Sequence, residues 1–179
     1  YRRQRQMCIR DSNVSGIMFM VMMAFASTCG SLVSNLIGAG NINCVPGTIR
    51  QHIRIAYAFV LPFAIFFALF PKLILSVYTD MPELQEAAVP SLWVLCSAYL
   101  FLVPANVYFQ SVSGTGNTRT ALALEMITLV VYTCYITYIV AYLKLDVAFA
   151  WTSEIVYSIG ILVLCYFYMK KGTWSLKKI

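Results

Sequence analysis

The chain has 179 residues, of which 60% are apolar and only 11% charged, and its mean hydropathy is +0.75. Soluble domains carry about 45–50% apolar and about 25% charged residues, so this composition excludes a water-soluble globule. A membrane-spanning helix takes about 20 apolar residues, so the length accommodates about five or six spans and no separate soluble domain. The net charge of +6 comes from short basic clusters between apolar runs, which argues against a nucleic-acid partner and for a lipid bilayer.

Five apolar runs follow one another along the chain, each long enough to cross a bilayer. The runs are continuous rather than alternating, which argues against a β-barrel. The chain is therefore predicted to be all-α, a polytopic transmembrane helical bundle of about five spans. The predicted spans are 14–37, 55–77, 87–112, 121–143 and 147–169, followed by a basic cytoplasmic tail at 170–179.

The charges of the predicted loops set the orientation. One side collects Arg50, Arg54, Arg119 and the four lysines of the tail, whereas the opposite loops carry two lysines and four acidic residues. Lys and Arg accumulate in short cytoplasmic loops, so the carboxyl terminus is predicted to be cytoplasmic.

The first dozen residues, YRRQRQMCIRDS, conflict with this orientation, because their four arginines would lie on the outer side. Their composition differs from everything that follows and resembles translated sequencing-adaptor or assembly-junction sequence. We interpret residues 1–13 as a non-native or junction segment and exclude them from fold reasoning. The chain is then expected to be a fragment whose native start lies upstream.

Prolines interrupt the second and third spans. Pro62 and Pro104 each remove a backbone donor and are predicted to kink their helices. Such kinks either serve moving bundles or are simply tolerated where neighbours satisfy the freed carbonyls, and the sequence leaves both readings open. Pro71 and Pro90 lie nearer the predicted ends and are interpreted as boundaries.

Two glycine-rich turns leave the bundle on the same predicted side. Glycine after a helix supplies a left-handed cap and asparagine tolerates the following turn, so both are interpreted as tight cytoplasmic stops. Neither carries the lysine or the preceding strand of a phosphate-binding loop. The turn residues are Gly38, Gly40 and Asn41 after the first span, and Gly114, Gly116, Asn117 and Arg119 after the third.

The composition gives little indication of an enzyme active site or a metal site. The six cysteines are scattered without a C-x-x-C pair, and the chain has a single histidine, His52. An integral membrane enzyme would show clustered His, Asp or Arg at a membrane face, or an acidic pair of the D-D-x-x-D kind. We therefore predict no catalytic residue, no metal and no cofactor, and keep a membrane enzyme as an alternative.

The order of the motifs resembles the carboxyl-terminal lobe of the MATE family, the multidrug and toxic compound extrusion transporters. The motifs are SLVSNLIGAGN, then VYTD with an acidic segment, then SVSGTGNTRTAL, two further helices and a basic end. Family members have two similar six-helix lobes, and residues 14–179 resemble spans eight to twelve of the twelve.

The resemblance implies a sodium- or proton-coupled antiporter that exports lipophilic organic cations across the inner (plasma) membrane by alternating access. Its partner would be an amino-terminal lobe that these residues do not supply. The related lipid-linked oligosaccharide flippases share the two-lobe plan and form an alternative, but a richly basic cavity would favour them. Few basic residues lie within the predicted spans.

Four polar residues within the spans are candidates for the substrate or ion pathway: Glu154, Glu125, Asn106 and Gln110. A carboxylate inside a span costs about 2.5–3.5 kcal/mol on insertion scales, which makes it a functional candidate by default. The alternative is that both glutamates, lying near predicted helix starts, reach interfacial water or the helix dipole. Asn106 and Gln110 are one turn apart near Pro104, so they either line a cavity or bond across helices.

The resemblance also bears on these residues. Glu154, in WTSEIV, resembles an acidic position early in the last helix of the family. Some branches carry a cation-coupling carboxylate in the tenth helix, yet no Asp or Glu lies between Ala87 and Val112. The resemblance therefore implies that coupling relies on the amino-terminal lobe.

Overall fold

The computed structural model describes residues 2–76, 82–139, 151–172 and residue 174. Five helices in these ranges are long and apolar enough to cross a membrane, and the described residues contain no strand. The prediction of an all-α polytopic bundle is confirmed. The helices are α1 (Arg2–Gly38), α2 (Val45–Leu69), the short α3 (Pro71–Ser76), α4 (Pro82–Gly114), α5 (Thr118–Thr137) and α6 (Thr152–Lys171), with a 3-10 turn at Ile42–Cys44.

The second helix differs most from the run seen in the sequence. It begins at Val45 rather than near Ile55, because Pro46 favours a helix start and the buried Val45 and Ile49 anchor the first turns. It ends at Leu69, and Pro71 opens the separate α3. The predicted span ends at Val77 and Leu143, and the predicted start at Val147, lie outside the described residues.

Three prolines lie within helices. Pro62 is inside α2 and Pro104 inside α4, as expected. Pro90 is also inside α4, so its interpretation as a boundary was wrong. Helix α4 begins earlier, at Pro82. Proline is tolerated at a helix start, because the N–H groups of the first turn have no hydrogen-bond acceptor within the helix.

Helix α4 is the centre of the bundle. It packs against α1, α2, α5 and α6, and 61% of its span is buried, against at most 28% in the other spans. Paired contacts give the directions: Met22 meets Asn106 and Gly30 meets Gly114, so α1 and α4 run parallel. The pairs Trp93–Ala68 and Tyr57–Leu100 show that α2 runs antiparallel to α4.

Helix α6 also runs parallel to α4, and α5 runs antiparallel to α6. The carboxyl ends of α1, α4 and α6 therefore lie together with the first turns of α2 and α5. We call this the basic end, because it carries Arg50, Arg54, Arg119, Lys170 and Lys171.

The closest helix contact joins α1 and α4 at two glycines. A methyl group added at Gly114 would overlap the backbone of Gly30, and one added at Gly30 would lie 2.7 Å from the carbonyl oxygen of Gln110. Small residues let helix backbones approach in this way within membranes, where association depends on close packing. Any side chain at either position would push the two helices apart.

Two side chains of neighbouring helices satisfy exposed carbonyl oxygens. Pro104 has no N–H, so the carbonyl oxygen of Leu100, four residues earlier, loses its helical hydrogen bond. The Tyr57 hydroxyl of α2 donates to this oxygen instead. The Trp93 indole N–H donates to the Ala68 carbonyl in the last turn of α2, at 3.2 Å. A proline in the central helix thus contributes a bond between helices, which is how spans tolerate this residue.

The glycine turns have the geometry of helix caps. Gly40 and Gly116 adopt left-handed φ values of 77° and 78°. After α1, the N–H of Asn41 donates to Leu36 and that of Gly40 to Ile37, which closes the last helical turn. After α4, the Asn117 carbonyl begins α5, and its side-chain amide donates to the Tyr168 hydroxyl at 2.8 Å.

The glycine contact predicts a large effect of one added methyl group. Gly114→Ala is expected to lower the free energy of unfolding by about 1–3 kcal/mol, because its Cβ meets rigid backbone rather than a flexible side chain. Gly47→Ala is the matched control, since nothing lies within 4 Å of that position. Thermal unfolding of detergent-purified protein, followed by circular dichroism, measures both. Equal midpoints for the two variants would contradict the close approach.

Candidate functional site

A polar groove with a volume of about 510 Å³ follows the contact between α1 and α4 in the half nearer the basic end. Its lining consists of hydroxyls, amides and glycine backbone, with no charged side chain, in a bundle that is otherwise mostly apolar. We call it the polar groove. Its lining residues are Ser27, Gly30, Ser31, Ser34, Asn35, Gln110, Ser113 and Gly114.

The spacing of small residues in α1 places them on one helical face. Positions 27, 30, 31 and 34 follow the i, i+3, i+4, i+7 pattern of a single stripe. The Ser31 hydroxyl donates to the Ser27 carbonyl at 3.2 Å, and the Ser27 hydroxyl donates to Ala24 at 3.1 Å. The hydroxyl oxygens keep lone pairs for a guest, so the stripe presents acceptors without carrying a charge.

Asn106 and Gln110 both face α1 but differ in their surroundings. Gln110 lines the polar groove. The Asn106 amide lies one turn further from the basic end, donates to the Leu102 carbonyl at 3.0 Å, and meets the Met22 sulfur at 3.9 Å. Gln110 is thus in position to contact a guest in the polar groove, whereas Asn106 bridges α4 to α1 beside it.

A second cavity with a volume of about 360 Å³ lies further from the basic end along the same two helices. Glu154, in the first turn of α6, contributes its carboxyl group. The rest of the wall is aromatic and aliphatic, so one acidic group stands in an apolar setting. We call it the Glu154 cavity, and its lining residues are Gly16, Phe19, Leu95, Ala98, Tyr99, Leu102, Trp151 and Glu154.

An apolar cluster separates the two cavities along the α1–α4 contact. Met22 and Val103 are fully buried there and Tyr99 is 2% exposed. Asn106 lies beside this cluster, against Met22. The contact between α1 and α4 therefore has three successive regions: the polar groove, the buried apolar cluster and the Glu154 cavity.

The other glutamate lies apart from both cavities. Glu125 is half-buried on α5 and interacts electrostatically with Tyr157 and Cys165 of α6. Glu154 interacts with the same Tyr157 from one turn away. The structure thus places one glutamate in a cavity and the other at the α5–α6 interface.

Sequence reasoning singled out Gln110 and Glu154, which line the two cavities, but not the serines that line the polar groove beside Gln110. Ser27, Ser31 and Ser34 were missed as a group, although their helical spacing was visible in the first span. The described residues contain no cluster of His, Cys, Asp or Glu that could hold a metal ion. Cys29 and Cys165 are buried, while Cys44 and Cys134 are exposed, so packing accounts for only some of the cysteines.

Five apolar helices, with a polar groove and an acidic cavity along the α1–α4 contact, define a polytopic helical membrane protein that carries polar groups within its spans. Comparison with known proteins identifies the family. The MatE family model matches residues 12–143, which is most of the chain. The chain belongs to this family, the multidrug and toxic compound extrusion (MATE) proteins, and membership of a transporter family points away from an enzyme.

One curated relative is the probable multidrug resistance protein NorM of Thermotoga maritima. It is 24% identical over 168 residues, which cover 93% of this chain and 36% of the relative. The chain thus spans about a third of the length of that relative. No solved structure gives a significant match.

If the polar groove holds water, its serine positions will react with a membrane-impermeant maleimide. Ser31→Cys and Ser34→Cys are expected to gain one label each relative to the parent chain, counted by intact mass. Val130→Cys is the control, because it is 60% exposed on α5 in an apolar span and faces lipid. Labelling of Val130→Cys at the rate of the serine positions would mean that the groove is no wetter than the lipid face.

Proposed function

We propose that this chain forms part of a cation-coupled antiporter that exports lipophilic organic cations, using a sodium or proton gradient. The observation that carries the proposal is the α1–α4 contact, with a neutral polar groove at one end and an acidic aromatic cavity at the other. Membership of the MATE family and the likeness to a protein named as a probable multidrug resistance protein support it.

The polar groove suits the passage of an organic cation. Its lining contains no Lys or Arg, so it presents no repelling charge, and its hydroxyl and amide oxygens accept hydrogen bonds from a guest. A flippase that handles lipid-linked oligosaccharide phosphates calls for a basic cavity. The lining of both cavities therefore favours drug export over that alternative.

The Glu154 cavity suits a positive charge. A carboxylate beside Phe19, Tyr99 and Trp151 combines charge attraction with the negative faces of aromatic rings. Either the exported cation or the coupling ion would be stabilised there, and a proton on Glu154 would compete with it. We infer that Glu154 takes part in ion or substrate binding, while Glu125 serves the α5–α6 interface.

Transport requires that the guest be reached from each side in turn, and the closed middle of the α1–α4 contact supplies a barrier between the cavities. We infer that this lobe works with an amino-terminal lobe and that the two rock about a shared cavity. The basic end faces the cytoplasm of the inner membrane in this scheme, as the distribution of Lys and Arg favours.

Transport assays with the full-length gene test the proposal. Efflux-deficient cells that express it are expected to extrude a fluorescent organic cation, and collapse of the sodium or proton gradient is expected to stop the extrusion. Gln110→Ala and Glu154→Gln are each expected to reduce the rate about tenfold or more, since each removes a group that contacts the guest or coupling ion.

Matched controls are Gln51→Ala, an exposed glutamine outside both cavities, and Glu125→Gln. Both are expected to retain at least half of the rate. Protein levels measured by immunoblot separate loss of transport from loss of folding. Full transport by both cavity variants at normal expression would contradict the assignment of the cavities.

A further inference from the structure

A third cavity lies at the basic end and is not used by the proposed transport pathway. Its volume is about 380 Å³, and it is formed where the start of α2, the last turns of α4 and the end of α6 meet. Two cations and three aromatic rings share its wall, so we call it the basic-aromatic pocket. Its lining residues are Pro46, Ile49, Arg50, Tyr108, Tyr166, Met169, Lys170 and Trp174.

The two cations of this pocket are not neutralised by the described protein. The Arg50 Nε donates to the Pro46 carbonyl at 3.3 Å, and the described residues offer its terminal N–H groups no acceptor. Lys170 is exposed and has neither a hydrogen-bond acceptor nor a carboxylate partner in the described ranges. Two positive groups on one cavity call for an anion with several acceptor oxygens.

Aromatic side chains hold the shape of the pocket. Tyr108 and Tyr166 meet edge to face with ring centroids 5.7 Å apart. The Trp174 indole donates to the Met169 carbonyl at 2.9 Å, which folds the residue back as a buried wall. The pocket is thus built from fixed rings, with the long cationic side chains at its rim.

The pocket opens beside an exposed aromatic surface of α6. Tyr166 is 44% exposed and the neighbouring Phe167 is 58% exposed. Arg50 lies in the second turn of α2 and Lys170 in the last turn of α6, so both lie at the edge of the apolar spans. Aromatic and basic residues at this depth meet lipid headgroups.

A neighbouring hollow strengthens the positive field. It has a volume of about 400 Å³ and is lined by Gly47, Arg50, Gln51 and Arg54. Arg50 belongs to both hollows, so an anion bound to it meets Lys170 on one side and Arg54 on the other. A zwitterionic headgroup would bring its own ammonium group into this field and be disfavoured.

We propose that the basic-aromatic pocket binds the headgroup phosphate of an acidic glycerophospholipid. Arg50 and Lys170 grip the phosphate oxygens, and the acyl chains leave past Tyr166 along α6. Basic pockets between spans bind acidic headgroups in this manner. The site is independent of the transport pathway, because its charges would repel a cationic drug.

Native mass spectrometry of the detergent-solubilised full-length transporter tests this proposal. The probes are phosphatidylglycerol, phosphatidylcholine and inorganic phosphate. Arg50→Gln combined with Lys170→Gln is expected to weaken phosphatidylglycerol binding about 10- to 30-fold. The control pair, Arg119→Gln with Lys171→Gln, removes the same charges from exposed positions at the same end but outside the pocket, and is expected to change binding less than twofold.

Phosphatidylcholine is expected to bind all variants weakly and alike, and millimolar inorganic phosphate to leave bound phosphatidylglycerol in place. Equal losses in the two variant pairs would overturn the proposal in favour of general surface charge. Displacement by inorganic phosphate would overturn it in favour of a soluble-anion site. Unfolding midpoints of the variants, measured on the same samples, are expected to match that of the parent protein. Arg50→Lys keeps the positive charge and is expected to retain most of the phosphatidylglycerol binding that Arg50→Gln loses.

Discussion

The contact between Gly30 and Gly114 is the constraint on which the rest of the bundle depends. No side chain fits between the two backbones, so α1 and α4 can approach closely only with glycine at both positions. This approach brings the serine stripe of α1 opposite Gln110 and creates the polar groove beside the crossing. It also leaves α4 in contact with all five of the other described helices, which makes it the central helix. Close packing substitutes for the hydrophobic effect, which is weak between helices in lipid.

Charge is distributed along the bundle in a way that follows from this arrangement. The polar groove carries no charge, the Glu154 cavity carries one acidic group, and the two cations of the basic-aromatic pocket lie at the basic end. A cation moving between α1 and α4 would therefore meet hydrogen-bond acceptors and a carboxylate, while anionic lipid would meet Arg50 and Lys170. The two proposed kinds of recognition, of an organic cation and of an anionic lipid, would thus use different depths and different faces of the chain, consistent with the cost of charge inside a membrane.

Much of the fold could be predicted from local sequence, whereas the site needed the helix pairing. Apolar runs predicted five crossing helices, and Gly40 and Gly116 stand where a left-handed cap is needed, because caps depend on neighbouring residues alone. The start of α2 was missed because its first turns are amphipathic and their burial depends on the rest of the bundle. Intramembrane polarity singled out Gln110 and Glu154. The serines of α1 that lie near Gln110 were missed, because a serine gives no signal of a site until the opposing helix is known. For the same reason, the sequence could not show that Asn106 and Glu125, unlike Gln110 and Glu154, lie outside the two cavities.

If the α1–α4 contact forms part of the path of an organic cation, a bound cation will protect this contact from chemical labelling. In membranes that contain the full-length transporter with Ser31→Cys, the rate of maleimide labelling is measured with and without a saturating fluorescent organic cation. We expect labelling of Ser31→Cys to slow severalfold when the cation is present, and a cysteine at the exposed Gln51 position to keep its labelling rate. An unchanged labelling rate at Ser31→Cys, at concentrations where the cation is being transported, would show that the cation does not pass along the α1–α4 contact.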